Sequence, residues 1–365
     1  MAEDVVYVGY DELERFMADV FRALGVPEED SAICAEVLSF ADRRGISSHG
    51  INRMKPFYYD RIRKGLQYPD PGWEIVKESP TTAVIDGRFG MGHAIAKRSM
   101  QMAIDKAIDY GLGMVAVRNS THYGAAGYYS MMAIKNGMIG INGTNARPSV
   151  APTFGTEGML GTNPFTIGFP TDEEFPFLLD CATSIWQRGK IEYYAREEKE
   201  IPENLVVGKD GTSLTDPRLI LKELVEGNGA LLPLGGLGEE TAGYKGYGYS
   251  TVVEVLSSAL QAGPFLKAVN GINVGHFFMA IDIEAFTTLD EFERSSGEVM
   301  RQLRASRKAP GAERIYTPGE KEHLHWLRTR DIGVPLNRSL QKEVALMKDE
   351  LSLSGYDWDW AKNPK

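Results

Sequence analysis

Apolar residues recur at helical spacing through the first 65 residues of the chain. In YDELERFMADVFRALGV, the positions Leu13, Phe16, Met17, Val20, Phe21 and Leu24 share one face, and Gly25 ends the run. PEEDSAICAEVLSFADRRG opens with proline and acids, as helix N-termini do, and stops near Gly45. A third helix is expected from about Gly50 to Gly65. The period then changes. WEIVKES and TTAVIDG read as two strands joined by a turn at Ser79-Pro80. GHAIAKRSMQMAIDKAIDYG is the clearest helix. Ala96, Met100, Ala103, Ile104, Ala107 and Ile108 form its apolar stripe, with Lys97, Arg98, Gln101, Asp105 and Asp109 on the wet side. Gly111 closes it as a left-handed cap. GMVAVR, GAAGYYSMMAIKNG and MIGING follow as strand, helix and strand over residues 113–143, which indicates a mixed α/β architecture.

TNARPSVAPTFGTEGMLGTNPFTIGFP, rich in Gly, Pro and Thr, reads as a loop, and its length marks it as functional. FPFLLDCATS is expected to be a strand ending in small polar residues, and IWQRGKIEYYAREEKE a helix. Residues 201–242 read as irregular. KGYGYSTVVEVLSSALQAG reads as an apolar helix ending at Gly263, GHFFMAIDIEAF as a strand, and the remainder as mostly helical.

The chain has 365 residues, enough for two domains or one large one, with 43% hydrophobic and 25% charged residues. The net charge of −10, with no block of like charges, argues against a nucleic-acid partner but leaves a local anion site open. Cys34 and Cys181 are the only cysteines, too few for a disulfide framework or a Cys-rich metal site. MAEDVVYVGYDELERF is acidic and lacks the apolar core of a signal peptide, and no run reaches membrane-spanning length. A soluble cytoplasmic enzyme that does not bind membranes is the expectation.

RGISSHGINR sets His49 between serines and a glycine, with Arg53 four positions on. One reading is a helix start capped by Ser47 or Ser48. The other is a proton-transfer group beside an anion clamp, since positions four apart share a helix face. VRNSTHYGAAGYY places His122 at a strand-to-helix junction, where α/β sheets bind ligands. There too the alternative is a cap, made by Ser120 or Thr121. His93 begins the stripe helix, where a surface role accounts for it, and His276 begins a strand. His323 and His325, two apart on a helix, do not face one site, so no metal is expected. Lys245 in GYKGYGYS could meet a phosphate or lie in a surface loop, and Gly319 and Glu320 in YTPGEKEHL read locally as a cap. The G-x-G-x-x-G dinucleotide fingerprint is missing. DGRFGMGHAIAKRSM has the wrong spacing and reads as a connecting turn.

Taken together, SSHGINR, RNSTHYGAAGYY, TNA…APTFGTEGMLGTNPF, LLDCATS, GYKGYG, GHFFMAID and PGE occur in the order seen in the malate/L-lactate dehydrogenase family, the non-Rossmann type of 2-hydroxyacid dehydrogenase. That family also contains sulfolactate and ureidoglycolate dehydrogenases, diketogulonate reductase and a cyclic imine reductase. The chain resembles it from about residue 10 to 330. The resemblance implies a mixed α/β (α+β), sulfolactate dehydrogenase-like fold that binds NAD or NADP, with NAD favoured. It implies a helical region formed by both chain ends, residues 1–75 plus 300–365, around a cofactor- and substrate-binding domain at 76–299. It implies a homodimer.

Site residues follow from the same resemblance. His49 and His122 match the family's two acid/base candidates, and His122, on a strand end, is the expected one. Arg53, with Ser48, would hold the substrate carboxylate, and Thr162 and Asn163 would line the site. Asp180, Cys181, Ala182, Thr183, Ser184, Lys245, Gly319, Glu320 and Lys321 match segments that meet the cofactor. Many relatives have serine after Thr-Asn. This chain has Ala146 and then Arg147, a candidate second cation. Oxidation of a 2-hydroxyacid needs a base for the hydroxyl, a cation for the carboxylate and a nicotinamide over the carbon. The expected reaction is (S)-malate to oxaloacetate. The alternatives are another 2-keto acid (lactate, sulfolactate, sugar-derived), a cyclic imine, or a catalytically silent dimeric binding protein.

Overall fold

A computed structural model describes residues 5–362. Near the N-terminus lie β1 (Val6–Val8), α1 (Tyr10–Ala23) and α2 (Glu28–Arg43). The stripe on α1 is buried through Leu13, Phe16, Met17, Val20 and Phe21. The expected third helix is a composite. A 3₁₀ turn at Ile51–Arg53 passes into a π-helical stretch at Met54–Tyr59 and then α3 (Asp60–Arg63). Pro56 lies inside the π stretch and has no N–H to continue an α-helical ladder.

Strands β2 (Glu74–Glu78) and β3 (Thr82–Asp86) are antiparallel, as expected, and α4 (Gly92–Tyr110) follows. Gly111 caps α4 with φ 80°. One stripe position is corrected: Ile108 is 60% exposed, because at about 100° per residue it falls to the side of the face that the buried Ala103 and Ala107 present. Next come β4 (Leu112–Ser120), α5 (Gly127–Lys135) and β5 (Met138–Thr144). The loop expected up to Pro170 stops sooner, because Phe165–Phe169 is a strand, β6. Its residues alternate in burial, and its backbone pairs with β5 on one side and with β7 (Phe177–Cys181) on the other.

After α6 (Arg188–Arg196), residues 201–242 are more ordered than their glycine content suggests. They contain β8 (Val206–Gly208), α7 (Pro217–Glu226) and β9 (Gly229–Leu231). Asp216 caps α7 by accepting from the Arg218 and Leu219 N–H groups, with Pro217 at its first position. Helix α8 (Gly243–Leu256) ends before the expected Gly263, and a separate 3₁₀ turn covers Ala259–Gln261. Then follow β10 (Val274–Asp282), α9 (Leu289–Ala305), α10 (Glu320–Thr329), β11 (Val334–Leu336), α11 (Arg338–Glu350) and α12 (Asp359–Lys362).

The central sheet has seven strands in the order β2-β3-β4-β10-β5-β6-β7. Only β3 and β4 pair in parallel. Strand β10 enters between β4 and β5 and runs antiparallel to both, so the strand–helix–strand unit is split by a strand from far along the sequence. A register shift between Val274 and His276 kinks β10 opposite Ser120, where β4 delivers His122. β1 pairs with β11, and Val6 faces Leu336, so both chain ends join one apolar core with α4, α5 and the sheet. A smaller core of Val150, Leu160, Ile191, Ile201, Val206 and Ile220 joins α6, β8 and α7 to the loop around Val150. No helix among the described residues is long and apolar enough to cross a membrane.

Candidate active site

Two histidines from distant segments stack on each other. The His49 and His122 rings lie 5.6 Å apart at 19°. His122 sits where β4 gives way to α5, and His49 lies on the turn after α2. Neither of the local cap readings describes these turns. The N–H of Ile51, which opens the 3₁₀ turn, is satisfied by Asp42 Oδ2 of α2 at 2.9 Å and not by a serine. Asp42 gets that close because Gly50 has no side chain; a Cβ there would lie 1.8 Å from Asp42 Oδ1. Burial pushes the Asp42 carboxyl up to about 7. Ser48 Oγ is hydrogen-bonded to His49 Nδ1 at 2.8 Å. On the other side, Thr121 caps α4 and not α5. It accepts from the Gly92 N–H at 3.0 Å and donates to the Gly90 carbonyl at 2.7 Å. The N-terminus of α5 is held by Asp180 Oδ2, which accepts from the Gly127 N–H at 2.7 Å.

Both imidazoles are kept neutral. Burial, then the nearby Arg53, lowers the pKa of His49 to about 4. Burial pushes His122 well below the ordinary range, helped by His49, His93, Arg53 and Arg61. Arg53 and Arg61 lie over the Phe57 ring, at 4.7 and 4.5 Å from its centroid. Arg53 Nε donates to the Ser48 carbonyl at 2.5 Å, and Arg61 Nη1 to the Gly271 carbonyl at 2.9 Å. Arg147 is exposed, close enough to Arg61 to lower its pKa further, and near Gly271, whose added Cβ would lie 3.9 Å from Arg147 Cβ. Among the described residues no carboxylate pairs with Arg53, Arg61 or Arg147 within 4.0 Å, in a chain where most other arginines have such partners. Arginine side chains left together and unpaired form a ready anion site.

Arg61, Phe57, Tyr58 and Asp42 were not among the expected site residues. Arg53, Phe57 and Arg61 recur at steps of four, a single helical face, and that spacing was the available signal. His93 is corrected from surface to core. It is fully buried, with neither ring nitrogen hydrogen-bonded, and its ring lies 4.6 Å from that of Tyr58. His276 is buried too, with Nδ1 hydrogen-bonded to Thr144 Oγ1 at 2.8 Å and its ring stacked on Tyr123. His323 and His325 diverge: His323 stacks on Phe175, while His325 lies against Gly45.

The residues expected at the cofactor come from β7 and the turn after it, from α8 and from the start of α10. Thr183 donates from its hydroxyl to the carbonyls of Asn163, at 2.9 Å, and Thr162, at 3.2 Å. Asn163 is fully buried. Its amide donates to Glu254 Oε2 at 2.8 Å and to the Ser250 carbonyl of α8, and its Oδ1 accepts from the Ala146 N–H. Its side chain is therefore spent in bracing the loop. Asp180 also accepts from Thr166, and burial raises its pKa. Cys181 and Ala182 are half-buried. Ser184 Oγ is buried with no hydrogen-bond partner, an orphan of the kind a ligand satisfies. Lys245 is exposed in the first turn of α8, with no carboxylate paired to it among the described residues, and fits a phosphate. Gly319, with φ 94°, turns the chain against Pro176 beside β7. Glu320 is fully buried, accepting from the Thr317 N–H at 3.0 Å and paired with Arg314, so its carboxylate holds that turn. Lys321 Nζ lies 5.0 Å from the centre of the Tyr316 ring.

The family model described as malate/L-lactate dehydrogenase matches residues 8–345. This chain belongs to the malate/L-lactate dehydrogenase family. A malate dehydrogenase of Pyrococcus horikoshii is 44% identical over 97% of this chain and 98% of its own. An L-sulfolactate dehydrogenase of Methanocaldococcus jannaschii is 39% identical over 94% and 97%. The crystal structure of malate dehydrogenase from Entamoeba histolytica superimposes with a TM-score of 0.93 at 42% identity, covering 96% of this chain and 99% of that one. As a malate/L-lactate dehydrogenase family member the protein is an oxidoreductase of the 2-hydroxyacid dehydrogenase type, which implies a nicotinamide cofactor. The orphaned Ser184 hydroxyl and the exposed Lys245 ammonium, without a carboxylate partner among the described residues, fit such a group.

Proposed function

We propose that the protein interconverts (S)-malate and oxaloacetate. The reading is supported above all by Arg53 and Arg61, without carboxylate partners among the described residues, beside two neutral imidazoles, with Arg147 near Arg61. When bound, NAD or NADP supplies the acceptor for the hydride that leaves C2 of the acid, and NAD is the carrier we favour. His122 takes the hydroxyl proton. It is neutral at pH 7 and so ready to act as a base. Arg53 holds the carboxylate next to the reacting carbon with its two terminal nitrogens, since only its Nε is spent on the protein. Ser48 and His49 orient the same end. Arg61 and Arg147 meet the far carboxylate. Thr162 and the backbone of Asn163 close the pocket, and Ser184, Lys245 and the turn at Gly319–Lys321 hold the cofactor.

Comparing malate with lactate tests the role of the far cations. Arg147→Ala and Arg61→Ala are expected to cut kcat/KM for malate by about 10–100-fold, the value of a hydrogen bond to a charged group. Lactate, which has no second carboxylate, is expected to change less than about threefold. Equal losses on both acids would remove the argument for a dicarboxylate. The second reading is sulfolactate, because the same cations suit a sulfonate and a relative carries that name. Running oxaloacetate and sulfopyruvate with NADH and with NADPH separates the substrates and the carriers.

The homodimer is also our proposal. It is supported by apolar side chains left on α8 and just beyond it: Tyr247, Val252, Val255 and Leu260, each at least a third exposed. Sedimentation equilibrium is expected to give twice the chain mass, and a single-chain mass would overturn the proposal.

A further inference from the structure

His122 has one ring nitrogen committed inside the protein. Nδ1 lies 2.5 Å from Tyr58 Oη and 3.3 Å from the Gly124 N–H. Only Nε2 is left to meet a substrate. The two partners of Nδ1 differ in kind. A backbone N–H can only donate, so Gly124 favours the neutral ring with its proton on Nε2. That form cannot accept a hydroxyl proton at Nε2. The imidazolium would set Nδ1–H against the Gly124 N–H. A phenol either donates or accepts, and among the described residues Tyr58 Oη is the one oxygen hydrogen-bonded to this ring.

We propose that Tyr58 is a positioning residue whose hydroxyl turns from donor to acceptor at His122 Nδ1, which opens the Nδ1–H and imidazolium forms of the ring to the reaction. The inference rests on the reading of His122 as the acid/base. In the oxidation direction the ring starts with its proton on Nδ1, accepted by Tyr58 Oη. The substrate O–H bond breaks and its proton goes to Nε2. The C2–H bond breaks with its electron pair leaving as hydride, and the carbonyl forms. The ring is then imidazolium, with Nδ1–H still on Tyr58. Reduction returns the Nε2 proton to the carbonyl oxygen along the same path.

The surroundings explain why a phenol suits this place. The groups facing the ring are His49, stacked on it, His93 from α4, Arg53 and Arg61, all cations or able to become cations, and Tyr58. A carboxylate beside Nδ1 would fix the tautomer but bring a buried charge. Burial keeps the Tyr58 phenol protonated, with a pKa raised far above the ordinary value. Its ring is fully buried, edge-on to Phe21 at 5.9 Å and against His93 at 4.6 Å, so the hydroxyl has a fixed origin.

The test is Tyr58→Phe. Turnover in both directions is expected to fall by about 10–100-fold, as when an orienting partner of a histidine is lost, with KM for malate within about threefold. Nitrogen NMR of the histidine rings in the protein without cofactor reads the effect apart from activity. The titration midpoint of His122 is expected to fall by about one pH unit, the worth of one hydrogen bond to the charged form. A variant with turnover within about twofold of wild type and an unmoved His122 titration would overturn the inference. If the variant does not fold, the wild type decides. At acid pH its Nδ1 proton should exchange slowly with water, and exchange as fast as in a free imidazole would overturn the inference. Full turnover in His122→Ala would instead overturn the acid/base reading, leaving the NMR result on Tyr58 standing.

Discussion

Replacing His122 with alanine is expected to lower kcat for malate oxidation by about 10²–10⁴-fold, the contribution of a positioned general base. The loss should fall on kcat and kcat/KM together, because the proton moves only in the transition state. The wild-type pH profile provides an independent check. Burial and the surrounding cations hold the His122 pKa well below the usual 6.5. A lowered pKa means that the neutral base survives as pH falls and is lost only when pH drops through the lowered value. The acid limb of kcat/KM for oxidation is therefore expected below the ordinary histidine range, and the reductive direction, which needs the imidazolium, should gain as pH falls toward that limb. If His122→Ala keeps near-normal kcat and the same pH profile, the role passes to His49, whose pKa is held at about 4.

Arg53→Ala is expected to raise KM for malate by about two orders of magnitude with a smaller change in kcat. Truncating one partner of a partly buried charged hydrogen bond costs about 2–5 kcal/mol, and binding that is equal in ground and transition states appears in KM. Lysine should restore charge but not the two-pronged contact, leaving most of the defect in place. Arg53 also lies over Phe57 and bonds the Ser48 carbonyl, so the melting temperature of the variant must be compared with wild type. A KM within about threefold of wild type would remove Arg53 from the substrate clamp.

Much of the scaffold was legible because its signals are local. The stripe of α4 and its Gly111 cap, the β2–β3 hairpin and the β4–α5–β5 run follow from spacing and turn chemistry within each segment. Most of the misreadings arise from partners distant in sequence. β6 was hidden among Gly, Pro and Thr because its pairing partners, not its composition, make it a strand. β8 and β9 were hidden in a glycine-rich stretch for the same reason, whereas α7 carries a local signal in its Asp216 cap and Pro217. His93 reads as a surface residue from its place at the start of a helix, whereas Tyr58 and Phe21 enclose it from elsewhere in the chain. The ordered set of motifs, from SSHGINR to PGE, marks the family without reference to any tertiary contact.

The helical and strand periods, the ordered motifs and the positions of His49, Arg53, His122 and Arg147 are written into the order of residues alone. It took the folded chain to set β10 between β4 and β5, to fasten the Ile51 turn with Asp42 rather than a serine, and to bring Arg61 with Arg53 over one aromatic ring. The same folding brings Tyr58 to the His122 Nδ1. The difference is one of range: periodicity and capping act over a few residues, whereas burial, charge and hydrogen-bond partners at the site come from segments far apart along the chain.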